Sequence, residues 1–136
     1  MTDEKPPPID SGLVAEFVLK AHGDLDFVRR TVEREPAIVN AAWDWGGGDW
    51  ETGLGAAAHV GRRDIAEYLL DHGARKDVFA AAMLGEVDVV RAMLDAQPEL
   101  RDARGPHGIP LRAHAEAGGD GAREVLDLLQ GDAATA

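Results

Sequence analysis

The sequence predicts an all-α protein, a helical solenoid of four helix pairs with one enlarged loop between pairs. Three observations carry this. The phrase Gly85-Glu86-Val87-Asp88-Val89-Val90-Arg91 repeats Gly23-Asp24-Leu25-Asp26-Phe27-Val28-Arg29, and both run on through apolar pairs to a proline. A third copy, Gly61 to Leu70, ends in Asp71-His72-Gly73-Ala74, and a looser fourth runs from Gly118 to Leu129. Apolar residues return at helical spacing in every copy, with no strand-like alternation outside the connecting loops. In such an array each unit buries its apolar face only against its neighbours. The interval from Gly85 to Gly118 is regular, whereas the two before it are stretched and shortened, and these distortions are where function is sought.

Each element follows from local signals. Pro6-Pro7-Pro8 cannot join a helix and nothing apolar precedes them, so residues 1–10 are expected to be disordered. Ser11 is a plausible cap for a first helix whose stripe is Leu13, Val14, Phe17, Val18 and Ala21, ended by His22-Gly23. Its partner runs from Asp24 or Leu25 to about Glu33, with Phe27, Val28, Thr31 and Val32 inward and Pro36 as the stop. The next pairs are Leu54 to Val60 with Asp64 to Asp71, Val78 to Leu84 with Val87 to Ala96, and Pro110 to Ala117 with Gly121 or Ala122 to Gln130. Ala56-Ala57-Ala58 and Ala80-Ala81-Ala82 let inner helices approach closely, while Ile65, Leu69, Leu70, Val90, Leu94, Val125 and Leu129 supply outer-helix bulk. Gly61 and Gly85 suit left-handed helix ends, followed by Asp64 and Asp88 as caps. The domain therefore spans 11–130, and 131–136 is expected to be a frayed tail.

Thr52-Gly53-Leu54-Gly55-Ala56-Ala57-Ala58, then Gly61, then Leu69-Leu70-Asp71-His72-Gly73-Ala74, resembles an ankyrin repeat, a unit of about 33 residues with a Thr-Pro-Leu-His-x-Ala opening. Residues 13 to 130 are similar to four such units of unequal quality. The first matches only from Gly23 onward. The third, opening Asp77-Val78-Phe79-Ala80-Ala81-Ala82, lacks the finger between repeats. The fourth opens with Ile109-Pro110-Leu111-Arg112 and is longer between Gly118 and Leu128, so its outer helix is expected to be shifted or bulged. The resemblance implies a protein-binding scaffold that uses fingers and inner helices, with no bound cofactor and no catalysis.

Composition narrows the partners. Lys and Arg number 14 against 25 Asp and Glu, a net charge of −11, so duplex DNA and anionic membranes are poor partners. Cysteine is absent, which removes disulfides, thiolate metal sites and thiol nucleophiles. The acidic, apolar-poor start is unlike a secretory signal, and a cytoplasmic monomer is expected.

The segment Ala41 to Thr52 holds every tryptophan, Trp43, Trp45 and Trp50, and the only triple glycine, Gly46-Gly47-Gly48. Two readings fit. The indoles either fasten an enlarged hairpin or form contacts for a protein partner. His59, His107 and His114 fall near this finger in the repeat alignment, so Trp43, Trp45, Asp49, Trp50, Glu51, His59, His107 and His114 are the expected partner-binding residues. The alternative is a small-ligand or enzyme pocket between the second and fourth fingers, where Trp50, His59, His107 and His114 would converge. No histidine pair has a recognised zinc spacing, Ser11 is the only serine, and the triple glycine lacks a phosphate-loop context, so neither a metal, a cofactor nor a catalytic set is assigned. His22 and His72 read as helix-end donors to free carbonyls.

Overall fold

A computed structural model describes residues 5–135, and the chain is mostly helical. The helix pairs are α1 Ser11–Lys20 with α2 Leu25–Arg34, α3 Gly53–His59 with α4 Arg63–Asp71, α5 Val78–Leu84 with α6 Val87–Ala96, and α7 Leu111–Ala117 with α8 Arg123–Thr135. A two-stranded antiparallel hairpin, β1 Ala42–Asp44 and β2 Trp50–Thr52, separates the first two pairs. The third pair begins without a hairpin, as its sequence implies. Residues 5–10 have no regular structure, and positions 1–4 and 136 of the expected disordered and frayed ends lie outside the described residues.

Several ends differ from the sequence reading. Asp10, not Ser11, caps α1, because its carboxylate takes the Leu13 N–H at 3.0 Å and leaves Ser11 inside the first turn. Asp64 and Asp88 also lie inside first turns; the residues at the cap positions are Arg62 and Glu86. Asp64 instead takes Arg62 in a two-point ion pair, at 2.9 and 3.0 Å. The helix α8 passes Gln130 and continues to Thr135, so 131–135 is not a frayed coil. The extra length after Gly118 becomes a 3-10 turn, Gly119–Ala122, before α8. Gly61 and Gly85 take the left-handed conformation at the ends of α3 and α5.

Phe17, Val28, Ile38, Leu54, Ile65 and Leu69 are buried in one apolar cluster that joins the first two pairs, and Ala80 and Met83 of α5 also enter it. A second cluster centres on Ala81, Val90, Leu94, Leu111, Val125 and Leu129. The buried alanines do what small residues allow, since α3 packs on α5 and α5 on α7. The helix α7 also touches α3. Helices are about 10 Å across, so a straight row would keep those two apart. The entry into α5, the helix between them, is short and carries no hairpin. No helix among the described residues is long and apolar enough to cross a membrane.

Candidate metal centre

The hairpin aims its side chains by the two-residue period of a strand. Trp43 pairs with Glu51 and Asp44 with Trp50, so Trp43 and Glu51 share one face while Trp50 takes the other. The tip is bound by Asp44, whose carboxylate accepts the N–H groups of Gly46 and Gly48 at 2.8 and 3.0 Å. All three tip glycines have positive φ, which explains the triple glycine as a turn requirement. Thr52 then caps α3 by accepting the Gly55 N–H at 3.0 Å.

Glu51 lies in β2, one residue before the Thr52 cap of α3, and His59 is the last residue of that helix, with Gly55 one turn before it on the same side. A Cβ on Gly55 would stand 3.8 Å from the Glu51 Cγ and 3.4 Å from the Pro106 Cγ. The missing side chain therefore leaves a lane along which Glu51 lies while Pro106 packs beside it. Glu51 is fully buried, and the Trp45 indole N–H donates to its Oε1 at 2.8 Å.

Three imidazoles close on that carboxylate. His22 Nε2 is 3.3 Å from Glu51 Oε1, His59 Nε2 is 3.1 Å from Oε2, and His107 Nε2 is 3.3 Å from Oε1. The Nε2 atoms of His22 and His59 are 3.1 Å apart, and the four donor atoms lie within 4.8 Å of one another. Two of the rings are oriented from behind. His22 Nδ1 faces the carbonyl oxygens of Val18 and Leu19 at 3.1 and 2.9 Å, and His107 Nδ1 faces Asp49 Oδ2 at 2.8 Å. Carbonyl and carboxylate oxygens only accept, so each Nδ1 carries a hydrogen, and in the neutral ring each Nε2 turns a lone pair toward the centre. Asp49 also accepts the His107 backbone N–H at 2.7 Å. This two-point grip holds His107 at φ 62°, the one non-glycine residue with positive φ among those described. Such strain persists only where surrounding contacts impose it.

With neutral rings the arrangement has more acceptors than donors. His59 Nε2 can direct at most one hydrogen, toward His22 or Glu51, and Glu51 Oε2 is buried without an aligned hydrogen bond among the described residues. Lone pairs of like sign at these distances require either added protons on the rings or a cation among them. Burial pushes the Glu51 pKa up, but His59, the Trp45 N–H and the His22 and His107 rings outweigh it and hold the carboxyl below its usual range. Asp49 is likewise held low, chiefly by the His107 backbone N–H against the opposing effect of burial. With metal–nitrogen bonds of about 2.0–2.1 Å, tetrahedral donors stand about 3.3 Å apart, the separation seen between Glu51 and its neighbours.

Of the residues expected from sequence, Trp45, Asp49, Glu51, His59 and His107 come together. Trp43 packs, half-buried, against the first apolar cluster. Trp50 is exposed on the opposite face of the hairpin and does not join. His114 is not in the groove. It is fully buried, stacks on Phe79 at 4.7 Å and bonds the Pro110 carbonyl at 2.9 Å. Burial removes Glu51 and His114 from the expected set of partner contacts. Sequence gives His22 only a helix-end role, which its Nδ1 does perform; its Nε2 adds a further donor to the cluster. The available signal was positional, since His22 and His59 both stand just before the marker glycines Gly23 and Gly61 of adjacent units. No spacing motif marks the set because its four donors come from separate stretches of chain. No family model, curated protein or solved structure matches the chain.

Proposed function

We propose that the chain is a metal-binding, ankyrin-like repeat protein in which His22, Glu51, His59 and His107 hold a divalent first-row transition ion. The observation that carries this is the convergence of three imidazole nitrogens on one buried carboxylate, one oxygen of which has no hydrogen-bond partner among the described residues. Three nitrogens and one oxygen favour zinc, iron, cobalt, nickel or copper over magnesium or calcium, which take oxygen ligands. The outer contacts support the same reading, because ligating histidines commonly give their second N–H to a carboxylate or carbonyl, as His107 and His22 do. The bound ion would tie α1, α3, the second finger and the fourth finger together. The ankyrin-like reading is supported by four successive helix pairs and by the hairpin before α3.

A melting scan of metal-stripped protein with and without excess zinc tests the proposal. Binding to the native state raises stability by mass action, by about 2.7 kcal/mol at a hundredfold excess over Kd. A zinc-dependent rise that disappears in His107→Ala is expected. A rise of equal size in that variant assigns zinc to other groups and defeats the proposal, as does no rise with any first-row ion.

A second activity, capture of a protein partner by the finger, is favoured by one observation: Trp50 is exposed on the face turned away from the metal donors. The two roles use different faces of one hairpin and do not compete for the same side chains.

A further inference from the structure

The burial of the four donors is uneven, and the unevenness has a direction. The Glu51 side chain is 0% exposed, His59 13%, His22 25% and His107 35%. An ion held there is sealed on the carboxylate side and faces water between His22 and His107. Four protein ligands complete a tetrahedral shell, so a further ligand entering from the exposed side makes the ion five-coordinate, a number that zinc reaches in sites that act on a ligand.

The rim of this opening is apolar. Among the described residues the exposed large hydrophobic ones are Leu19, Trp45, Trp50 and Val60. Single exposed apolar side chains are ordinary, but three of these four adjoin the donors. The Leu19 carbonyl accepts from His22, and Leu19 stands one helical turn before that ring. Val60 follows His59 in the chain. The Trp45 indole holds Glu51 and lies 6.0 Å from the His107 ring. Apolar side chains beside a few polar groups are the combination that small-molecule sites use. Charge sets the sign of the ligand. A divalent ion with three neutral imidazoles and one carboxylate leaves a net positive first shell, in a protein otherwise strongly acidic. Asp49, the acid behind His107, is already engaged by that ring and its backbone.

We propose that the bound ion keeps an open coordination position and that the mouth between His22, His107, Leu19, Val60 and Trp45 takes a small amphipathic anion: an oxygen group such as a carboxylate on the ion, with an apolar or aromatic body against the rim. This rests on the metal reading above and adds the class of ligand to it.

Cobalt(II) provides a probe because its visible spectrum responds to coordination number and to exchange of an inner ligand. The full chain loaded with cobalt is titrated with acetate and, separately, with phenylacetate. The expected result is a spectral change with both anions and binding of phenylacetate tighter by about tenfold or more, since the ring adds apolar burial. In Leu19→Ser/Val60→Ser the preference for phenylacetate should shrink while cobalt affinity stays unchanged. A cobalt spectrum that neither anion alters means a closed shell and overturns the inference while leaving the metal site standing. Equal affinity for the two anions overturns the apolar mouth. Absence of any cobalt band overturns the underlying metal reading itself.

Discussion

The two faces of the second finger differ more than their sequence suggests. On one face Glu51 is buried among three imidazoles and an indole N–H; on the other, the neighbouring residue Trp50 stands in solvent. Strand alternation alone makes the division. A segment dense in tryptophan, glycine and acids thus holds two kinds of chemistry, one able to organise a cation and one able to meet a partner. Composition reports the density of such a segment, and only the pairing register reports the division.

The largest effect should come from Glu51→Gln. The amide keeps an oxygen for the Trp45 N–H and nearly the same volume, but it removes the only anionic donor. Zinc affinity measured by competition with a chromophoric chelator should fall by more than the about 10–100-fold typical of an outer-shell loss. Retained affinity would mean that the imidazoles alone bind the ion and that the buried face is less specialised than it looks.

Asp49→Asn tests the layer behind the ligands. Asp49 bridges the second finger to the fourth through two contacts with His107, so the variant weakens the orientation of that ring without removing a donor. Zinc affinity should fall by about 10–100-fold, less than for Glu51→Gln. An effect as large as the loss of Glu51 would show that Asp49 is itself a ligand.

Much of the fold is legible because helix pairs are specified locally. Apolar spacing, Pro36 and the marker glycines place α1 to α7 closely, and the missing third finger is visible as a missing stretch of chain. The ends that differ do so through single contacts, as when Asp10 takes the Leu13 N–H. The site was half legible. Glu51, His59 and His107 could be named from their place in the repeat alignment, but His22 joins through stacking of α1 beside α3, and His114 is lost because α7 turns it beneath Phe79. Both depend on tertiary packing, which residue spacing along one chain does not encode.

The excluded histidine sharpens the contrast between a histidine that meets a cation and one that stays neutral. Burial chiefly lowers the His114 pKa below 6.5, against the opposing bond to Pro110, and its Nε2 is buried without a partner among the described residues. Well above pH 6.5 the ring is neutral in both folded and unfolded chains, so it imposes no proton cost. As pH falls below that value the unfolded chain binds a proton that the folded one resists, and stability declines until the lower folded pKa is reached. His114→Asn keeps a donor for Pro110 and removes the titration. The difference in denaturant midpoint between the two chelator-treated proteins should change in this acidic window and be flat above it. A difference independent of pH would mean that His114 titrates alike in both states.

The smallest effect on the fold should come from the exposed face. Trp50→Ala removes a solvent-facing indole that donates none of the contacts binding Glu51, Asp49 or His107. Surface changes of this kind usually stay within about 0.5 kcal/mol, so chemical denaturation and zinc affinity should both match the parent protein. Interaction anchors behave differently, since a single exposed tryptophan can contribute a large share of a binding energy. Affinity capture with parent and variant protein should therefore lose a partner band with Trp50→Ala while the metal titration stays unchanged. If the variant instead weakens zinc binding, the faces are coupled through the hairpin and their separation into two roles fails. If capture is unaffected, the exposed indole is not the partner contact and the finger's role is confined to its buried face.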